Sequence, residues 1–517
     1  AMANRFLGQG ISVAFLETGG FERSASAEDL NDARVGGDLQ VWIKSRSRFI
    51  GGSTNCWGGN NSPFDPVDFD RDWVPEAAWP ISLADLEPYA AEVHDLVRIG
   101  PVDFSVDFWK SRLRRVRDGV LFEDSDRIST KLIQRTNVGH LGELLAPELE
   151  RSADISVYLN AQVVNIATSS DGSEVTGLDV VSGDGSRSVK VHATQYVLAA
   201  GPENPRLLLA SRDHHPDGIG GEYQQVGRYW LAHHSSLRGW LEPSPDLDWS
   251  FYELGDWEVG DRRVFGALQI SEKVQRQEKL LNAAAILERY RPLRGFNNRA
   301  RLIAAVNAKR GRRYEPLAEQ PLTGNLLGGA MGDGVRALTR TAAEARRAQR
   351  GQPRAFIRNW CEQMPHYDNR VELTDEVDRF GVPKMRIVSN LQPADRATIV
   401  RSFEILGEVF ERAGYGRLVP DFPDGDRWPA GAVSTAHFMG GTRMSESPND
   451  GVVDADCRVH GVDNLWIAGG SVFPTAGVSM VTYTAMNLAF RLAERIVAGA
   501  TSAELGAAQA HEYRKAG

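Results

Sequence analysis

The stretch from His437 to Leu488 constrains this chain more than any other. It reads His437-Phe-Met-Gly-Gly-Thr-Arg-Met444, then Asn464-Leu-Trp-Ile-Ala-Gly-Gly-Ser-Val-Phe-Pro-Thr475, then a run with the apolar spacing of a helix. An apolar strand that ends in Gly-Gly-Ser and feeds a helix puts bare backbone and a positive helix end at one point, which suits a phosphate-bearing ligand. The pattern recurs at Gln195-Tyr-Val-Leu-Ala-Ala-Gly201, followed by the helical Glu203-Asn-Pro-Arg-Leu-Leu-Leu209. Two such units predict an α/β layer around a nucleotide.

A third piece lies at the start. Ile11–Leu16 reads as a buried strand closed by Glu17 and the turn Thr18-Gly-Gly20. An acid at the end of a second strand is what a dinucleotide fold uses to grip a ribose. The glycine-rich phosphate loop belongs ~20 residues earlier, so this spacing puts it just ahead of Ala1. Three explanations stay open: a trimmed chain, a start set too late, or a protein without that first strand. Further on, Arg48-Phe-Ile-Gly-Gly-Ser-Thr-Asn-Cys-Trp-Gly-Gly59 is dense enough in glycine for backbone to approach a ligand. Ser82 reads as a helix cap with Asp85 at N3. Short β-rich runs and tight turns fill 155–200. Arg370–Leu373 and Lys384–Val388 read as strands, and 395–412 as an amphipathic helix. Residues 245–355, rich in aromatics and arginine, show no period and read as irregular.

The 517 residues, 42% hydrophobic and 25% charged, allow two domains or one with large insertions. A net charge of −9 gives no general pull toward nucleic acid or anionic membrane. The basic run 289–313 reads as a solvated helical surface or an oligomer contact. Cys56, Cys361 and Cys457 are too few for a disulfide framework and too scattered for a metal site, and they fit a reducing compartment. No run approaches ~18 apolar residues, so no membrane helix is expected. Nothing resembles a secretory signal, and the expected location is the cytoplasm.

Taken in order, Leu16-Glu17-Thr-Gly19, Gly51-Gly-Ser-Thr-Asn-Cys-Trp-Gly-Gly59, Leu198-Ala-Ala-Gly201, Gly227-Arg-Tyr229 and the C-terminal block resemble the glucose–methanol–choline (GMC) oxidoreductases, FAD enzymes that oxidise alcohols. Trp79-Pro-Ile-Ser-Leu-Ala-Asp-Leu-Glu-Pro88 and Asp368-Asn-Arg-Val-Glu-Leu373 resemble the bacterial branch of pyranose oxidase-like and C-glycoside 3-oxidase enzymes. The resemblance implies an α/β fold (α+β overall). A Rossmann-like FAD domain (1–90, 150–235, 430–517) would interleave with a substrate domain (91–149, 236–429) built on an antiparallel sheet with helices. Residues 245–355 would form a substrate lid or the arm of a homo-oligomer. The implied reaction oxidises a secondary hydroxyl of a sugar or glycoside, at C2 or C3, with non-covalent FAD and with oxygen or another electron acceptor.

The resemblance also assigns roles. His437 matches the base that takes the hydroxyl proton while hydride leaves to flavin N5, a role that suits an imidazole mostly neutral at pH 7. Relatives place a second polar side chain, His or Asn, across the substrate oxygen, and here Met480 falls on that position. A thioether accepts weakly and donates nothing, so Ser479 or Thr482 is a candidate replacement, and the His233-His234 pair another source. Asn487 should face elsewhere. Glu17, Gly51, Gly52, Ser53, Asn55, Cys56, Trp57, Gly58 and Gly59 should lie along the FAD, with Cys56 packed as a small apolar group. Val163 and Val164 should border the adenine. Ala200 and Gly201 should bind the cofactor, and Gly469, Gly470 and Ser471 should meet its phosphates or ribityl chain. Val481 and Thr482, opening the final helix, should place its positive end near the reduced flavin. A competing reading is a non-redox relative that keeps FAD structurally, or a binding or assembly protein. The phosphate loop missing ahead of Ala1 and Met480 favour it; the intact Gly51–Gly59 loop and His437 oppose it.

Overall fold

Strand pairing in the computed structural model follows these glycine-terminated units. The model describes residues 1–39, 41, 45–113, 126–253, 257–259, 262–289, 354–422 and 433–515. Val13–Leu16 runs parallel to Ile155–Tyr158, and Leu465–Ile467 parallel to Tyr196–Leu198. Among the described residues these remain two separate two-stranded sheets. That corrects the reading of 11–16 as a buried strand: only Val13–Leu16 is extended, and with one paired edge it stays half-buried, with Ala14 exposed. Beside it lies an antiparallel meander of Ala161–Thr168, Val175–Ser182 and Ser188–Val191.

The larger layer is a nine-stranded antiparallel sheet. Its order is Gly416–Val419, Leu231–Pro243, Ala355–Cys361, Ala283–Arg289, Arg262–Ile270, Ile128–Arg135, Asn60–Asn61, with Trp257–Val259 and Val433–Met439 as side branches. The expectation that 245–355 is irregular fails over 262–289, which supplies two central strands. Their side chains are buried on both faces, so the sequence carries no polar–apolar alternation to announce a strand. The remainder of the lid or oligomer-arm expectation, and the basic run beyond Arg289, lie outside the described residues.

Each face of this sheet has its own partner. Val264, Leu268, Ala283, Ala285 and Leu287 pack on the helix Pro393–Arg412. That helix opens with Pro393 at its first turn and a reciprocal Gln392–Asp395 capping box, and buries Ile399, Phe403, Leu406 and Phe410 at i, i+4, i+7 and i+11. Each buried phenylalanine contributes roughly 1.5–3 kcal/mol. The alternate residues Phe265, Ala267, Ala284 and Ile286 face the other way, with Ile133 and Trp360, and meet Val478 and Met480. A separate core joins these two parallel ladders to the final helix through Ile155, Leu198, Ile467, Phe473 and Phe490. The Ser82–Asp85 capping box is present, on a short turn of 3-10 helix. Among the described residues no helix is long and apolar enough to cross a membrane, and no cluster of three metal-ligating side chains occurs.

Candidate active site

The His437 block and the start of the final helix both meet Gly470. The amide of Gly440, just past His437, donates to its carbonyl at 3.1 Å. A side chain at Gly470 would meet Val481 Cγ1 at 3.1 Å and the Phe438 carbonyl at 3.2 Å, so one fits only if those neighbours give way slightly. The glycine-dense loop arrives through the residues after it: Met480 N donates to Ser62 Oγ at 3.3 Å, and Ser479 Oγ donates to the Pro63 carbonyl. The final helix starts at Val481, so Val481 and the half-buried Thr482 stand at its positive end.

His437 lies on Val433–Met439, paired antiparallel with Leu231–Pro243. The register runs Leu231↔Met439, Ala232↔Phe438 and resumes two residues out of step at His234↔Ser434, so His233 faces a bulge that holds Thr435, Ala436 and His437. Bulges re-aim side chains next to active sites. Here the two rings meet edge to face, centroids 5.0 Å apart and planes at 82°, with Nδ1 to Nδ1 at 2.8 Å. His233 Nε2 donates to the Ala476 carbonyl at 2.9 Å. Burial, and then the neighbouring His233, push the His437 pKa down to about 3, although the ring remains partly exposed. Burial also lowers His233. His234 turns away from this pair. Its Nε2 donates to the Glu362 carbonyl at 3.1 Å, and burial lowers its pKa to about 4.

The structure does not bring Met480 or Ser479 forward as a polar partner for His437. Met480 is buried against Trp360 and Phe265, and the Ser479 proton is committed to Pro63. The turn before the helix is held from behind by groups for which no role was expected. Trp79 Nε1 donates to Thr475 Oγ1 at 2.8 Å, Gly477 N to Glu362 Oε1 at 3.1 Å, and Trp360 Nε1 to the Val478 carbonyl at 2.8 Å. Glu362 in turn takes a two-pronged ion pair from Arg71. Arg71, Trp360 and Glu362 sit in no motif, and the contacts span more than a hundred positions of sequence.

The residues expected at a dinucleotide fall into two kinds. Gly201 and Gly469 follow paired ends of parallel strands, adopt φ of +58° and +108°, and have no atom within 4 Å of where a Cβ would stand. Open backbone at the carboxyl ends of parallel strands is where such folds take ligands, so these positions fit FAD. Asn204, absent from the sequence expectations, ties the two units together: it accepts from Ala200 N and donates to Ser471 Oγ, both at 2.9 Å. Val164 is the extra residue of a bulge between Val163↔Val180 and Asn165↔Asp179, off the ladder. Glu17 Oε1 accepts from Gly19 N at 2.9 Å; burial raises its pKa, against that bond and Arg48.

In the Gly51–Gly59 loop Ser53 and Gly58 are not buried. Asn55 is buried and pins the loop by donating to the Ile50 carbonyl at 3.0 Å, and Trp57 Nε1 donates to the Gly139 carbonyl at 3.2 Å. Cys56 corrects its expectation: its Sγ lies 2.9 Å from Ser47 Oγ, so its neighbour is polar. A surface cleft by Arg34, Glu372 and Arg386 lies on a separate sheet of Arg370–Val377, Pro383–Val388 and Ala33–Gly36 and contains none of these residues.

A family model described as GMC oxidoreductase matches residues 365–489. The fructose dehydrogenase large subunit of Gluconobacter japonicus is 25% identical over 317 residues, 60% of this chain and 48% of that protein. C-glycoside 3-oxidase of Arthrobacter globiformis is 32% identical over 148 residues, 28% of this chain and 27% of its own length. Paromamine 6'-oxidase of Streptomyces fradiae is 27% identical over 133 residues, 26% of this chain and 23% of its own. The chain thus spans about half the length, or less, of these curated relatives. Among solved structures, pyridoxine 4-oxidase from Mesorbium loti matches with a TM-score of 0.52 at 16% identity, covering 96% of this chain and 97% of that one. Formate oxidase matches at 0.51 and 15% identity, covering 97% and 96%. At these identities the structures show the fold alone: this chain shares the fold of pyridoxine 4-oxidase and formate oxidase.

Proposed function

We propose that this chain, which carries a GMC oxidoreductase domain over residues 365–489, is an FAD-dependent oxidase or dehydrogenase that converts a secondary hydroxyl of a sugar or glycoside, at C2 or C3, to a ketone. The observation that carries the reading is His437. It is an imidazole kept neutral by its surroundings and bonded to protein through one ring nitrogen, on a strand that leads into Gly440, whose amide bonds to Gly470. FAD, when bound, supplies the hydride acceptor. The protein's part is to take the hydroxyl proton at His437 and to hold the cofactor at Glu17, the Gly51–Gly59 loop, Val164, Ala200, Gly201, Gly469–Ser471, Val481 and Thr482. Attachment is non-covalent, and oxygen or another acceptor closes the cycle. We assign 1–90, 150–235 and 430–517 to the cofactor domain and the rest to the substrate domain. The sugar assignment is supported by the names of the relatives, which act on C-glycosides, paromamine and fructose.

Anaerobic mixing of the FAD-loaded protein with a panel of sugars and glycosides tests the reading. Flavin absorbance bleaches in the wild type, while His437→Ala keeps its FAD and stays oxidised. A folded protein that takes up no FAD, or near-normal bleaching in His437→Ala, overturns it.

A further inference from the structure

We infer that His233 is a positioning residue that fixes the proton of His437 on Nδ1 and leaves Nε2 as its bare, basic nitrogen. The inference rests on the reading of His437 as the base and adds which atom acts and what sets it.

The hydrogens can be placed one after another along the chain of contacts. A carbonyl oxygen only accepts, so His233 Nε2, at 2.9 Å from the Ala476 carbonyl, carries a hydrogen. A neutral imidazole has one N–H, so His233 Nδ1 is a lone pair. That lone pair lies 2.8 Å from His437 Nδ1, a distance that two bare nitrogens would not hold. His437 Nδ1 therefore carries the hydrogen and donates it. His437 Nε2 is left unprotonated, and among the described residues it makes no hydrogen bond. Burial favours the neutral form of both rings, as this placement requires.

The sheet explains why the arrangement is rigid. His233 is fully buried and, like His437, sits inside the register shift between Ala232↔Phe438 and His234↔Ser434. The bulge at that shift turns the two side chains toward each other, with ring centroids 5.0 Å apart. Ala476, the acceptor at the far end, belongs to the turn clamped by Glu362 and Trp79. A free histidine in water prefers its proton on Nε2, the nitrogen that must be bare in a base facing substrate. The chain Ala476 carbonyl, His233, His437 reverses that preference before any substrate arrives. When a hydroxyl then gives up its proton, the proton goes to Nε2, and the charge that forms on the ring is shared through the bond to His233.

The test is a nitrogen-15 histidine spectrum of the FAD-loaded protein, with His437 assigned by its absence in His437→Gln. We expect Nδ1 of His437 to be protonated and Nε2 bare in the wild type. In His233→Phe the tautomer shifts toward Nε2–H, and kcat/KM falls on the order of tenfold or more with FAD still bound. His233→Asn keeps an acceptor for His437, restores the Nδ1–H tautomer and recovers most of the rate. A wild-type spectrum with His437 protonated at Nε2, or an unchanged tautomer in His233→Phe, overturns the inference. If His233→Phe does not fold, the wild-type spectrum and the Asn variant still decide it. The expected tautomer in a protein that no alcohol reduces would leave the inference standing and sink the proposed function instead.

Discussion

Replacing Glu362 by Gln tests the anchor beneath the Thr475–Met480 turn. The carboxylate is fully buried and has no spare capacity. Oε1 accepts from Gly477 N at 3.1 Å and Arg71 Nη2 at 2.6 Å, and Oε2 from Asn282 N at 3.1 Å and from Arg71 Nη1. Burial alone would raise its pKa, but the Arg71 guanidinium and these donors outweigh burial and hold it below the usual carboxylate range. A glutamine turns one acceptor into a donor, so Gly477 N or Asn282 N loses its partner, and the amide leaves the Arg71 charge unbalanced. Removing one member of a buried ion pair costs about 3–5 kcal/mol.

The lower end applies because a substitute is at hand. Asp68 Oδ1 lies 3.9 Å from Arg71 Nη1, and its carboxyl is pushed up to about 7 by burial first, then by Asp65, with a contribution from Glu362 itself. Without the Glu362 charge, Asp68 ionises more readily and takes part of the load. We therefore expect a loss of about 3 kcal/mol, a large share of the ~5–15 kcal/mol that holds a folded protein together. Denaturant titration should show the midpoint falling at unchanged slope. The sign with pH follows from the depressed folded pKa: Glu362 stabilises above its unfolded pKa and loses that share as pH falls through the folded value, so the gap to the variant closes in acid. A loss under about 1 kcal/mol, the worth of an exposed pair, or a gap that persists in strong acid, refutes the reasoning.

Met480→Asn should cost about 1–3 kcal/mol, because the amide enters an apolar cluster with no partner, while Met480→Leu should cost under about 1.5 kcal/mol; equal midpoints for the two would contradict that packing. Asn204→Ala should lose about 1–3 kcal/mol by stranding the Ala200 amide and should release FAD more readily, which dialysis and flavin absorbance would show. His234 has a folded pKa of about 4 against 6.5 for the free group. Below 6.5 the unfolded chain binds a proton that the fold refuses, so wild-type stability drops by up to about 1.4 kcal/mol per pH unit from this group. Measured against His234→Gln, the wild type should lose its advantage between pH ~6.5 and ~4, and a constant difference across that range would exclude the buried neutral form.

Local signals made the strand–glycine–helix units legible. The turns at Gly201 and Gly469, the capping box at Ser82 and the helix through Phe403 and Phe410 depend on residues within a few positions of each other. What stayed hidden depends on distance. The strands Arg262–Ile270 and Ala283–Arg289 are buried on both faces, so the alternation that marks a half-exposed strand is missing. Arg71 and Glu362 are 291 residues apart, and His233 and His437 204 apart. Arg71 and Glu362 are unremarkable polar residues until the fold pairs them; His437 and the His233-His234 pair stand out in the sequence, and only which of them meet waits for the strand pairing.

That difference bears on Met480. Aligned along the chain, a methionine where relatives carry Asn or His looks like half an active site. It looks so only if the partner of the base must come from the same C-terminal block. In the fold, Ser479 gives its proton to Pro63 and Met480 hangs its amide on Ser62, which turns the methionine side chain toward Trp360 and the sheet. The polar neighbour of His437 comes instead from the opposite strand, inside the shift where the register breaks. A side chain delivered by a buried strand is held more firmly than one on the turn before a helix, although it reaches only one nitrogen of the base. If His233 sets the tautomer as we infer, Met480 is free to serve packing alone. The Met480→Asn variant would then lose stability without gaining any rate, which separates a moved partner from a missing one.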